Sequence, residues 1–548
     1  MKAAVCLLLI LPLTVASVIA QEPPGTSGTV EGIVFKWGSR DGLEGVAVTL
    51  QGSNRSPTTT ITDGEGRFLF TLVPPGTFTV SAQRTGFVEP RIGSTVLSIL
   101  PDQRLTGIEL ELAPASAIAG RVLSASGEPR RDVVVTAVQE QFESGRRELS
   151  PCFAAAGARS ETDENGAYRL YNLEPGEYYV SVGMSVADDG VCVTQYYPDA
   201  FDAADAIPLN LGVGQEQGGI DIRLRDIERY QVRFTGEPRP VRIERPGRIV
   251  QIVRKTRNGF DVTEVFHRKE PSADHRSTYV SPRLPPGSYE MFYSHDGLGD
   301  EIAHLTFSIV DRDVDLGTVI IRQGVSVYGQ VSGDVPGILS GALRMNLQPL
   351  DARRIEPFFL PAFTRIDPTG TFDIAWPANL YADGPRRGAV AYGRYQVGIL
   401  GLPAEAYIAS ATYGGRDVLD IGLSIDGDAP GPLRVTVAKG SAVQGVVRDN
   451  NDELVAGSRV ILVPEARHRG NLNRYKAVHS DQDGRFRMDG VAPGDYVLFA
   501  SDDLPDGAWQ NAEMLAQLEP RGTRLRVEAA TPLVTADVEI LASRNSRK

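Results

Sequence analysis

Cysteine is almost absent: the 548 residues hold three. Cys6 falls in an N-terminal apolar run, so only Cys152 and Cys192 belong to a mature chain. Two cysteines flanked by turn-rich sequence in an exported protein suggest one disulfide rather than a disulfide-built scaffold. Long apolar runs are also missing. Beyond the N-terminus no stretch approaches the ~18 residues of a membrane span. Basic charge is in deficit, with 56 Lys and Arg against 69 Asp and Glu and a net charge of −13. That balance argues against nucleic acid or an anionic membrane as the main partner.

The motifs of common chemistries are missing too. There is no Gly-x-Ser-x-Gly elbow, and neither late cysteine has a histidine near it in sequence to activate it. No glycine-rich phosphate loop occurs; Gly414-Gly415 reads as a hairpin turn. His267-Arg-Lys-Glu270 has the spacing of a zinc-peptidase pair. Such a site needs a remote third histidine, and His275, His295 and His304 stand too close in the chain. Asp481-Gln-Asp483-Gly484 starts like a calcium loop, but Ala492 occupies the position where the ligating glutamate belongs. The looser Asp502, Asp503 and Asp506 group also reads as a turn. No catalytic residue, metal or cofactor is expected.

At the start, Met1-Lys2 is followed by an apolar stretch broken by Pro12, with small residues before Gln21. This is the pattern of a signal peptide over residues 1–20, an uncleaved anchor being the alternative. Cys6 lies too early to be a lipidated cysteine. Abundance lies elsewhere: 57 Gly and 36 Pro suit many short strands joined by turns. A chain this long calls for three to five domains.

One stretch recurs. Residues 62–80 (TDGEGRFLFTLVPPGTFTV), 162–180 (TDENGAYRLYNLEPGEYYV) and 480–498 (SDQDGRFRMDGVAPGDYVL) share Asp, Gly, an aromatic, Pro-Gly and a second aromatic. Asp and Gly make a tight turn, the alternating residues a strand, Pro-Gly a second turn, and the last aromatic opens a second strand. A further signature opens the units: Val30-Glu-Gly32, Ile118-Ala-Gly120, Val327-Tyr-Gly329 and Val443-Gln-Gly445. Glycine on an otherwise apolar face predicts a large group crossing close above it. Period-2 strands at 107–112, 219–224, 319–322, 433–437 and 538–541 close the units.

The signatures divide the chain into five units at about 28–113, 114–226, 227–323, 324–438 and 439–548. The second carries insertions around Cys152 and over 188–208. The third is divergent: Val232 stands at the glycine position, and only Leu284-Pro-Pro-Gly287-Ser-Tyr289 keeps the pattern. The fourth is interrupted by 377–392. Residues 507–517 of the fifth are the best helix candidate. The units sit close together with short linkers.

GRFLFTLVPPGTFTV, GAYRLYNLEPGEYYV and GRFRMDGVAPGDYVL resemble carboxypeptidase regulatory-like domains. The resemblance implies an all-β chain: a tandem string of about five seven-stranded Greek-key β-sandwiches, similar to transthyretin and to starch-binding-type modules. Such domains accompany zinc carboxypeptidases, precede outer-membrane barrels, or stand in strings without an enzyme. Here they occupy essentially the whole mature chain, so a non-catalytic exported protein at the cell surface or in the periplasm is implied.

The aromatics beside turns and insertions carry the remaining functional signal. Tyr196-Tyr197 and Trp376 with Tyr381 are the candidate carbohydrate platforms, stacking on the apolar face of a sugar. Trp37 and Trp509 stand in comparable places. Plugging the ends of the sandwiches is the competing role for all of them. The basic run Arg467-His468-Arg469…Arg474-Tyr475-Lys476 is a solvated loop or a binder of an acidic partner. Three functions follow: a polysaccharide-binding protein, a spacer or scaffold that binds a surface protein, and, more weakly, an accessory to a peptidase.

Overall fold

The computed structural model describes residues 27–541, apart from 53–54, 90–94, 144, 152–156, 186–191, 237–248, 257–258, 266–267, 272–276, 282, 295–300, 321, 324, 334, 336–342, 351–361, 375–389, 391, 428–429, 503 and 530. The signal peptide and the Cys152 end of the expected disulfide lie outside the described residues.

The period-2 pattern governs the opening strand. Gly28–Lys36 alternates buried and half-buried residues over most of its length, with Val30 and Val34 inside. The Asp turn comes next in each repeat. Asp163 Oδ1 accepts the N–H groups of Asn165 and Ala167, both at 2.8 Å. Asp63, Asp367 and Asp481 accept the same two N–H groups in their own turns. The preceding hydroxyl ties this turn to the neighbouring loop: Thr62 Oγ1 donates to Leu43 O, Thr162 Oγ1 to Arg130 O and Ser480 Oγ to Val455 O.

The Pro-Gly turn is locked by the tyrosine that follows it. Tyr178, Tyr289 and Tyr496 donate their hydroxyls to the carbonyls of Glu174, Pro285 and Ala492, at 3.0, 2.6 and 2.8 Å. Each ring is buried while its polar end is satisfied, as a core tyrosine requires. Phe78 stands at this position in the first unit and lacks the hydroxyl.

These pieces assemble in one way throughout. In the first unit one sheet runs Arg67–Val73, Gly28–Lys36, Arg104–Pro114, Phe87–Val88. The facing sheet runs Thr58–Ile61, Ala47–Gly52, Gly76–Gln83, Thr95–Ile99. The opening strand pairs antiparallel with the strand after the Asp turn and parallel with the closing strand. The parallel opening-to-closing pairing recurs for Ser116–Leu123 with Ile222–Arg223, Val232–Gly236 with Val314–Val319, Val327–Gly333 with Leu433–Lys439, and Ser441–Arg448 with Val538–Glu539. Each set encloses its own hydrophobic core.

The glycine signature is explained by this closure. A Cβ on Gly32, Gly120, Gly329 or Gly445 would stand 2.3, 2.0, 1.8 or 2.0 Å from a carbonyl oxygen of the segment pairing alongside. The ring of Phe68, Phe372 or Phe486 also closes over Gly32, Gly329 or Gly445. The third unit makes the same parallel pairing without the glycine. Its closing strand is Val314–Val319, not the 319–322 expected from the apolar run, in which Ile320 is in fact exposed.

Among the described residues the one α-helix is Ala512–Leu518, covering the second half of the expected 507–517 and ending one residue beyond it, preceded by a 3-10 turn at Ala508–Gln510. Asn511 caps it, accepting from the N–H groups of Glu513 and Met514. With Trp509 it covers the outer face of Arg459–Pro464, whose residues are therefore all buried. Gly414 and Gly415, with φ of 56° and 79°, form the predicted hairpin turn between Ala406–Tyr413 and Arg416–Asp417.

Candidate functional site

The candidate sugar platforms fare differently. Tyr196 is only 5% exposed and packs with Val138, Ala200 and Ala203. Its N–H donates to Ala200 O at 2.7 Å, and the Ala200 N–H returns to Tyr196 O. Tyr197 is half-buried against the core of the second unit, and its N–H donates to Val180 O. The pair holds the described part of the insertion, from 192 to 208, onto its own sheet, and Tyr196 has no face open to a pyranose. Trp376 and Tyr381 lie outside the described residues. Trp37 is half-buried, and Trp509 is buried with the Arg459 guanidinium 5.3 Å above its ring.

The acidic and histidine candidates also take structural positions. Asp481 is engaged by the backbone of its own turn, and Asp506 pairs with Arg459 at 2.8 Å. His267, His275 and His295 lie outside the described residues; Glu270 sits in the Arg268–Pro271 strand. His304 meets Glu290 at 3.1 Å and stacks on Phe292. Among the described residues no three His, Cys, Asp or Glu side chains come together as a metal site would require. No helix among them is long and apolar enough to cross a membrane.

The basic run is not a solvated loop. It folds as two 3-10 turns, Ala466–His468 and Leu472–Arg474, pressed against the fourth unit. His468 Nδ1 lies 2.8 Å from Asp420 Oδ2, and a Cβ on Gly470 would stand 2.0 Å from Asp420 O. Asn473 Nδ2 donates to Val397 O at 2.8 Å, and the Leu472 N–H reaches Gln396 Oε1. Arg469 pairs with Glu519, and Arg467 with Glu465. Tyr475 is buried among the residues under the helix, and burial pushes its phenol up to about 12.

The fifth unit reaches two further neighbours. Asn511 Nδ2 donates to Gly145 O at 2.9 Å, and Phe142 of the second unit packs beside Trp509. Gln482 exchanges hydrogen bonds with the backbone of Ser98 in the first unit. The closely spaced string is thus folded back on itself, the fifth unit touching the first and the second. Sequence reasoning missed Gln396, Asp420, Asn473 and Phe142 as joining residues. One signal was available: the unbroken apolar run 460–463 cannot alternate, so both faces of that strand needed cover.

The architecture is an all-β array of paired sheets with Greek-key closure. Residues 29–108 match the family model of the carboxypeptidase regulatory-like domain. No curated protein matches the sequence. Solved structures that match include the TIE protein of Bacillus anthracis, at 12% identity and TM-score 0.16, covering 54% of this chain. The chain spans about half of that protein, 51%. BcpA, the major pilin subunit of Bacillus cereus, is 8% identical with TM-score 0.15, over 93% of this chain and 98% of its own. The shaft pilin SpaA of Lactobacillus rhamnosus GG is 11% identical with TM-score 0.19, over 37% of this chain and 99% of its own. Scores this low say nothing about function.

Proposed function

We propose that the chain is a non-catalytic, exported scaffold. It is built from five sandwich domains near 28–113, 114–226, 227–323, 324–438 and 439–548, and works through protein contacts at the cell surface or in the periplasm. The observation that carries this reading is the fifth unit, which makes contacts with the first, second and fourth. A spacer made only for length would not need such cross-contacts, whereas a surface that must hold a fixed shape does. The described aromatics support it as well, since Tyr196 and Trp509 serve packing. Small-angle scattering of residues 21–548 tests the reading. Each domain of about 100 residues has a radius of gyration of about 13 Å. The folded-back chain should have a maximum dimension well short of five such domains end to end, and Asn473→Ala with His468→Ala should lengthen it. Scattering that fits only an extended string would remove the reading.

Carbohydrate binding is the second reading, and it rests on Tyr381 in the insertion of the fourth unit with Trp376 at the insertion's border. Polysaccharide titration with Trp376→Ala checks it: unchanged affinity, or no binding by the parent chain, leaves the scaffold alone.

A further inference from the structure

A cleft of about 200 Å³ opens where the fourth and fifth units meet. Ile399, Leu402 and Pro403 give it an apolar side, and Tyr407 adds a ring with a polar end. Arg474 and Lys476 line it from the fifth unit. The volume is below the roughly 300 Å³ at which drug-sized clefts begin, so the occupant is a single small unit.

The charges decide its chemistry. Of the five bases in the run, Arg467, His468 and Arg469 each face a carboxylate. The two that line the cleft do not. Arg474 uses Nη1 on Pro493 O at 3.0 Å, where it braces the Pro-Gly turn, and its guanidinium also acts on the Tyr496 hydroxyl, while its Nε is buried without a partner. Lys476 is half-buried in the Lys476–His479 strand, and burial lowers its pKa. The acid that acts on it, Asp489, is already paired with Arg487 at 2.8 Å. In a chain with thirteen surplus negative charges, this cleft is lined by two cations and by no carboxylate. Burying unmatched cations is unfavourable unless an anion or water meets them.

We propose that this cleft binds a small organic carboxylate of the sugar-acid class, its carboxylate on Lys476 and Arg474 and its less polar ring face against Leu402, Pro403 and Tyr407. The guanidinium charge of Arg474 and the point charge of Lys476 supply charge-assisted hydrogen bonds. The site is independent of Trp376 and Tyr381, and a ligand there would brace the joint between the two units.

Calorimetric titration of residues 21–548 with sodium glucuronate, glucose and inorganic phosphate tests this. Glucuronate should bind saturably, with glucose and phosphate each at least about tenfold weaker. Lys476→Met should weaken glucuronate at least about tenfold and leave glucose unaffected. Arg474→Lys, which keeps the charge but removes the planar guanidinium, should give a smaller loss and serves if the first variant is unstable. No glucuronate binding at millimolar concentration, binding indifferent to both substitutions, or phosphate bound as tightly as glucuronate would each overturn the proposal.

Discussion

Replacing Gly445 by alanine sets a methyl group 2.0 Å from the carbonyl oxygen of Ala536 and 2.7 Å from its carbon. Ordinary contact begins at 3.4 Å, so the crossing segment must withdraw by more than 1 Å. That segment is held by the Ala536 N–H on Gln444 O at 2.9 Å and by Asp537 Oδ1 on the Val446 N–H at 3.1 Å. Losing both hydrogen bonds costs about 1 kcal/mol each, and the overpacking adds about 1–3 kcal/mol. Alanine recovers less than about 1 kcal/mol of backbone entropy. The net loss of about 2–4 kcal/mol is a large part of a domain's stability, typically about 5–15 kcal/mol. A chain of several domains does not unfold in one step, so the readout is hydrogen exchange in residues 439–541 of the full chain. Protection there should fall by that amount while residues 28–113 are unchanged. Gly218→Ala, where nothing lies within 4 Å, is the neutral control. If Gly445→Ala and Gly218→Ala gave equal protection, the close crossing would not be what selects glycine.

The tyrosine lock predicts opposite signs in two units. Tyr496→Phe should destabilise the fifth by about 1–2 kcal/mol because Ala492 O loses its partner, while Phe78→Tyr should leave the first unit equal or more stable, both read by urea unfolding with exchange. Leu72 is 79% exposed at φ 57°, where Asn172 and Gly490 stand in the other repeats, so Leu72→Asn should stabilise the first unit by up to about 1 kcal/mol in the same assay. Burial raises the pKa of Glu89, whose carboxylate accepts the Ala82 N–H. The folded state then holds that proton more firmly than the unfolded chain, so this group's contribution to stability falls as pH rises from the ordinary carboxylate value through the raised one. Glu89→Gln should flatten that slope and raise stability at neutral pH, as thermal unfolding across pH 4–7 would show. Asp367 behaves oppositely: hydrogen bonds from Thr371 and Thr369 hold its carboxyl down at about 2, so protection of its turn should be lost as pH falls from the ordinary value toward 2, and Asp367→Asn should remove that dependence.

The repeat was legible because its parts act locally. An Asp that bonds the amides two and four residues ahead, and a tyrosine that reaches four residues back, need nothing from the rest of the chain. The opening glycine was legible for a different reason: only a close crossing makes glycine useful on an apolar strand face. What crosses it could not be read, because the partner lies about 75 to 105 residues away in sequence, as with Gly32 and Ile108 or Gly329 and Leu433. The third unit escaped where local signals conflict. Its apolar run 319–321 looks like a closing strand, yet the pairing falls on Val314–Val319, with Gly317 at positive φ breaking the alternation.

The functional residues were harder to place, because charge and aromaticity say what a side chain can do and not what lies opposite it. Tyr196 looked available beside an insertion, and the insertion itself buries it. The basic run looked solvated, yet His468 faces Asp420 and Asn473 reaches Val397 across a joint that no local pattern announces. Within that run the partners sort the residues: Arg467, His468 and Arg469 meet carboxylates, whereas Arg474 and Lys476 border a cleft. A sequence shows five bases of one sign. Only the positions of Asp420, Glu465 and Glu519 divide them into three that meet carboxylates, His468 across the joint and Arg467 and Arg469 within the fifth unit, and two that border the cleft.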